Sequence, residues 1–207
     1  MSGSSGAIYG LRLVEALTAA GHEVELIVSE PARRVLKYEE GLDLLAKPLP
    51  VEELFAHPER IHLHDNKAVE AAPASGSAGI EAVVICPCSM GTLARVAHGY
   101  SIGLIERAAD VAMKEGRKLL MVPRETPLSV IHLENMLKLA RLGVVVMPAS
   151  PGFYHRPKSF EDLVDFVIGK ILHRLDVDNP VHKRWETPVN PPAGDATLGE
   201  IYEDGQS

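Results

Sequence analysis

The sequence has almost no cysteine. Cys86 and Cys88 are the two in 207 residues, and they flank one proline. They lie too close along an apparent strand for a structural disulfide and are too few for a stapled framework, so a reducing cytoplasm fits. No apolar run approaches about 18–20 residues, which excludes a helical membrane span. The opening residues lack the basic-then-apolar order of a secretory signal. Basic residues are outnumbered, 21 Lys and Arg against 28 Asp and Glu, and the net charge of −7 disfavours a general nucleic-acid binder. A Walker A loop, a Gly-x-Gly-x-x-Gly fingerprint and a Gly-x-Ser-x-Gly elbow are all missing. His62-Leu63-His64-Asp65 puts two imidazoles on one strand face, but no third or fourth ligand follows at a recognisable spacing, and no metal site is expected. Cys86-Pro87-Cys88 is not Cys-x-x-Cys, and its apolar neighbours favour inert buried thiols.

What is present is ordinary globular composition, 46 % apolar and 24 % charged, enough for one core. Four short apolar runs, Val24–Val28, Ala82–Cys86, Leu119–Val122 and Val144–Met147, lack alternation and suit strands covered on both faces. Helical patterns lie between and after them. Ile8, Leu11, Val14 and Leu17 share a face that Gly21 closes. Further helices are expected after Thr92, over Ile102–Lys114, over Val130–Leu142 ahead of Gly143, and from a capping-box pattern at Ser159 through Ile171. This order predicts an α/β fold, a doubly wound and mostly parallel sheet of flavodoxin or Rossmann type, with a mixed α+β domain as the alternative. Residues 1–175 form the expected domain, and 176–207 an extended proline-rich tail holding the only tryptophan, Trp185. Such a tail lies along this subunit, along a neighbour, or stays mobile. The polar stretch His57–Gly79 is either an ordered excursion or a loose loop.

Ligands of doubly wound sheets bind outside the carboxyl ends of the strands. The residues following the strands there are Ser29; then Ser89 and Thr92; then Arg124 and Glu125; then 148–157. Gly3-Ser4-Ser5-Gly6 precedes the first helix. It reads either as an expression scar or as a phosphate-type loop. Small hydroxyl-rich loops at helix starts cradle phosphates, although each serine alone is more often a helix cap. Arg124-Glu125 is either an anion clamp with a proton donor or a surface ion pair. Arg107 and Lys114, seven apart, share a helix face.

Five blocks in this order resemble the UbiX flavin prenyltransferases: Gly3-Ser4-Ser5-Gly6-Ala7-Ile8-Tyr9-Gly10, Cys86-Pro87-Cys88-Ser89-x-x-Thr92-Leu93, Ile105-Glu106-Arg107-Ala108-Ala109-Asp110-Val111, Val122-Pro123-Arg124-Glu125-Thr126-Pro127, and Pro151-Gly152-Phe153-Tyr154-His155-Arg156-Pro157. The resemblance implies an enzyme that joins a dimethylallyl group, from dimethylallyl monophosphate, to N5 and C6 of reduced FMN. The product, prenylated FMN, serves UbiD-type decarboxylases in ubiquinone biosynthesis or aromatic acid decarboxylation. It also implies no metal, and a homododecamer with sites at subunit interfaces. An FMN-dependent decarboxylase of the same fold is the first alternative. Those enzymes use an early catalytic histidine, and His22 sits in a turn before a strand. A non-catalytic flavin-binding subunit is the second.

By motif, Gly3, Ser4, Ser5, Ser29, Ser89, Thr92 and Arg124 resemble FMN contacts, and Tyr154 and Lys170 contacts to the prenyl phosphate. Ser5, Glu39, Arg107, Lys114, Glu125 and Trp185 match positions linked to proton transfer, phosphate neutralisation or cation stabilisation. Two departures stand out. Ser4 replaces the usual alanine. Lys170 replaces the usual arginine, keeping the charge and losing the planar fork. Met1 aligns with the end of the family's first strand, so the resemblance also implies a Val/Ile-rich strand ahead of Met1 whose loss would unfold the sheet.

Overall fold

The computed structural model describes residues 1–44 and 48–178. Among the described residues five strands carry the fold, parallel within each sheet piece: β1 (Val24–Ile27), β2 (Ile61–His64), β3 (Ala82–Cys88), β4 (Lys118–Pro123) and β5 (Val145–Val146). Seven α-helices accompany them among the described residues: α1 (Ala7–Ala19), α2 (Glu30–Glu40), α3 (Val51–Leu54), α4 (Met90–Ala97), α5 (Leu104–Lys114), α6 (Val130–Arg141) and α7 (Phe160–Arg174). The pairing is β2-β1 in one piece and β3-β4-β5 in another.

Strand β4 shows why the runs lack alternation. Leu120 and Val122 pack on one side with Leu13 of α1 and Ile168, Ile171 and Leu172 of α7. Leu119 and Met121 pack on the other with Leu93 of α4, Leu104 of α5 and Leu139 of α6. Side chains of a strand alternate between faces, so covering both faces demands an unbroken apolar run. This is the expected doubly wound α/β fold. The boxed start of α7 follows from local chemistry. Ser159 accepts from Asp162 N, and the Asp162 side chain returns to the Ser159 N–H.

One open reading closes, one helix is unexpected, and one expected strand is shorter. The stretch His57–Gly79 contains strand β2, paired parallel to β1 with Glu25 opposite His62 and Ile27 opposite His64. Half-exposed edge strands lack the apolar run used to find the others. The histidines face carboxylates at and just before β1: His62 Nε2 lies 3.2 Å from Glu23, and His64 Nε2 hydrogen-bonds Glu25. Residues 30–40 form helix α2, whose polar outer surface masks its period; Ala32 and Leu36 are its buried residues. The expected fourth run yields only the two-residue β5.

The two sheet pieces meet at the first two residues. Met1 N donates to Ile27 O at 2.6 Å, Ser29 N donates to Met1 O, and Ser2 N donates to Pro87 O. Below these residues a cleft of about 900 Å³ separates the facing edges of β1 and β3. Leu13 and Leu17 of α1 line it from one face, Ile105 and Ala108 of α5 from the other, and Leu26 and Val84 from its sides. Cys86 and Cys88 are buried free thiols, each pushed up to about 12 by burial, so they stay protonated and inert.

Candidate active site

The carboxyl edge gathers three loops. Loop 2–6 enters α1 through Gly6, whose φ of +95° suits glycine. Gly6 offers no side chain to the helix start. The Glu39 carboxylate of α2 fills that place, accepting from Gly6 N at 2.9 Å and Ala7 N at 2.8 Å. Orphan N–H groups and the positive end of the helix dipole both favour a carboxylate there. Burial works to raise the Glu39 pKa. The Ser5 hydroxyl, the N–H groups of Ala7 and Gly6 and the charge of Arg124 outweigh it and hold the carboxyl below its ordinary value. A depressed folded pKa contributes stability that is complete above the unfolded value near 4.5 and is lost as pH falls through the folded pKa. Glu39→Ala is therefore expected to lower Tm by about 2–6 °C at pH 7, from the loss of a cap worth roughly 0.5–2 kcal/mol. The difference from the parent should shrink below pH 4 in thermal melts. A pH-independent difference would mean the carboxylate charge is not what holds the loop.

Arg124 follows β4. Its Nε donates to Ser5 O at 3.1 Å, and its own carbonyl accepts from the Ser4 hydroxyl at 2.7 Å. The Ser4 hydroxyl, absent where alanine stands, thus has a definite partner. Gly3 packs on α2: a Cβ there would meet Pro31 Cβ at 2.4 Å. Ser29 caps α2 through Ala32 N at 3.2 Å. Ser89 caps α4 through Thr92 N, and its hydroxyl donates to Thr92 Oγ1 at 3.1 Å. Ser2, which sequence reasoning missed, ties the loops together. It is 2 % exposed, and its Oγ accepts from Ser89 N at 2.8 Å. Its position two residues ahead of Ser4 gives no separate sequence signal. Gly3, Ser4, Ser5, Ser29, Ser89, Thr92, Arg124 and Glu39 therefore converge. Glu125 follows Arg124, exposed, its carboxylate accepting from Thr126 N at 3.0 Å.

A second group begins beside the first. Ala149 N donates to Pro123 O, so the loop carrying Tyr154 leaves from the root of Arg124. Tyr154 stands edge-on to Phe166 with centroids 5.5 Å apart, and Lys170 Nζ lies 5.4 Å from the centroid of the same ring. The two expected prenyl-phosphate residues are thereby brought to one aromatic platform.

Two expected partners lie on α5 and are taken up in ion pairs there, and only the second lies far from the loops. Arg107 is in the first turns of α5 and pairs with Asp110 at 2.9 Å. Lys114 ends α5, exposed, and pairs with Glu115 at 2.9 Å. Helix α5 runs from the carboxyl edge to the amino edge, so about 15 Å of helix separates Lys114 from the loops. A shared helix face does not mean a shared end of the sheet. Trp185 lies outside the described residues.

A doubly wound domain with hydroxyl-rich loops and one arginine at its carboxyl edge defines a nucleotide- or flavin-binding class, and the Flavoprotein family model matches residues 1–172. Flavin prenyltransferase UbiX of Pseudomonas aeruginosa is 50 % identical over 190 residues, covering 89 % of this chain and 91 % of the relative. Among solved structures, AnUbiX (PadA1) in complex with FMN and dimethylallyl pyrophosphate matches with a TM-score of 0.82 and 38 % identity over 90 % of this chain and 94 % of that one. The dodecameric FMN-dependent UbiX-like decarboxylase from Escherichia coli O157:H7 matches with a TM-score of 0.78 and 37 % identity, covering 90 % of this chain and 100 % of that one. This chain belongs to the flavin prenyltransferase UbiX family.

Proposed function

We propose that this protein joins the dimethylallyl group of dimethylallyl monophosphate to N5 and C6 of reduced FMN, making prenylated FMN for a UbiD-type decarboxylase. The observation that carries the reading is the convergence of loop 2–6, Ser89, Thr92 and Arg124 in a chain half identical to a flavin prenyltransferase. The donor set fits a flavin phosphate. Ser89 and Thr92 present hydroxyls at the start of α4, where backbone N–H groups and the helix dipole favour an anion, and Arg124 adds a cation.

When bound, reduced FMN supplies the nucleophilic ring atoms. The chain's own residues bind, orient and move protons. A phosphate leaves an allylic carbon only as its growing charge is neutralised, a task for Arg124, Lys170 and Tyr154, with Glu125 able to donate a proton. Ser5 holds a proton in a hydrogen bond to Glu39, so a proton accepted at Ser5 Oγ has a carboxylate to pass to. Lys170 grips as a point charge, which weakens directional hold on the phosphate relative to arginine. Trp185, outside the described residues, would stabilise an allylic cation through its ring face.

Arg107 and Lys114 enter the reaction from a neighbouring copy in this reading. The outer face of α6 supports assembly: Val130, Ile131, Leu133 and Leu137 are at least half exposed along one helix. Contiguous apolar surface of that kind marks an interface, and a dodecamer is the assembly proposed. Among the described residues no helix is long and apolar enough to cross a membrane. The buried free thiols fit the cytoplasm. The test is anaerobic incubation with reduced FMN and dimethylallyl monophosphate, with the pyrophosphate in parallel, and mass analysis of the extracted flavin. A gain of one C5H8 unit is expected. Unchanged FMN, with both ligands bound, would remove the reading.

A further inference from the structure

One polar network behind the loops has no task in the reaction as described. Glu106, in the first turn of α5, is 3 % exposed. Arg95 of α4 closes on a single oxygen of it, with Nε 2.8 Å and Nη2 2.7 Å from Glu106 Oε1. The same Nη2 donates to Thr92 Oγ1 at 3.0 Å. Thr92 Oγ1 also accepts from Ser89 Oγ at 3.1 Å. Glu106 Oε2 has no hydrogen-bond partner among the described residues.

The chemistry of a hydroxyl gives this arrangement a direction. A threonine oxygen has two lone pairs and one proton. Arg95 and Ser89 fill both lone pairs, so Thr92 has only its proton left to give. It becomes an obligate donor. A donor prepared in this way suits an anion, and a charged donor on its oxygen strengthens it by polarisation. Glu106 in turn holds the guanidinium in one orientation and cancels its charge. Arg95 therefore acts through Thr92, and the pair is a positioning device.

We propose that the Arg95–Glu106 pair sets the Thr92 hydroxyl as a fixed donor to the phosphate of FMN, and so makes the site select FMN over riboflavin. This rests on the flavin reading above, and specifically on the phosphate lying at Ser89 and Thr92. Losing a hydrogen bond to a charged group costs about tenfold to a hundredfold in affinity.

The experiment uses the full chain and two probes, oxidised FMN and riboflavin, titrated by fluorescence. The parent should bind FMN far more tightly, and Thr92→Val should weaken FMN but not riboflavin. A double replacement, Arg95→Met with Glu106→Leu, removes both charges together and leaves neither unpaired, so the fold should survive. FMN affinity should drop at least about tenfold, with riboflavin unchanged within about twofold. Added to Thr92→Val, the double replacement should cost nothing further, because the residues act in series. Arg95→Lys keeps a donor and should recover part of the loss. Equal losses for both flavins, or no loss for either, would overturn the pair's role while the parent's preference for FMN leaves the flavin reading standing. A parent that binds both flavins alike, or a Thr92→Val variant with full FMN affinity, would overturn the phosphate placement and the proposal with it.

Discussion

Arg124→Ala is expected to weaken FMN binding by about a hundredfold or more. Three separate contributions vanish at once. The site loses its own cation at the carboxyl edge, a charged hydrogen bond worth roughly 1.5–3 kcal/mol. Loop 2–6 loses the latch from Arg124 Nε to Ser5 O. Glu39 loses one of the charges that hold it ionised, which loosens the carboxylate on the Gly6 and Ala7 N–H groups. The Ser4 hydroxyl bond goes to the main chain of residue 124 and survives the substitution. Arg124→Lys should recover a fraction, since the charge returns without the directed Nε donor. Fluorescence titration with FMN checks both variants. An alanine variant within about threefold of the parent would show that loop 2–6 is held, and the flavin bound, without this residue.

The second large effect concerns stability. A segment of five or six Val and Ile residues joined directly to the Met1 nitrogen is expected to raise Tm by about 10 °C. The cleft between β1 and β3 is walled by apolar side chains of α1 and α5, and among the described residues no strand lies between the strand edges on its sides. An added strand would bury side chains worth roughly 1.5–3 kcal/mol each, against ordering costs of about 1.5 kcal/mol per residue. Backbone pairing on both sides adds further hydrogen bonds. The Met1 amino group adds to the effect. Burial lowers its pKa to about 6 against the opposing influence of Cys86 and Cys88, and acylation would replace this costly amine with a neutral N–H. A net gain of a few kcal/mol corresponds to roughly 2–4 °C each in a domain of this size. The same segment with aspartates at its two central positions should give no gain. If the apolar extension leaves the melting curve unmoved, the cleft is not a seat for a strand.

Much of the site was readable because its signals are local. Ser89, Ser129 and Ser159 each cap a helix by bonding an N–H three residues on, so a serine before an apolar period announces a helix start. Strands β3 and β4 are covered on both faces, and their unbroken apolar runs say so. The loops that follow such strands lie at the ligand edge by the topology of the fold. Strand β2, an edge strand exposing His62, needs no apolar run, and only the alternation of His62 and His64 marked it as a strand. Helix α2 escaped because two buried residues, Ala32 and Leu36, make a weak period.

The sequence by itself determined the α/β class, the order of most strands and helices, and the loops of the candidate site, because caps, apolar runs and loop composition act over a few residues. Tertiary structure alone decided which of those residues meet. Glu39 reaches a helix that starts 32 residues earlier, because α2 packs against α1. Lys170 and Tyr154, 16 positions apart, share the Phe166 ring, while Lys114 sits at the far edge of the sheet. Ser2 and Arg95 carry no local pattern, and the block that holds Glu106 does not tell its partner. Their roles come from hydrogen bonds between separate chain segments, and such bonds leave no period in the sequence that folds to make them.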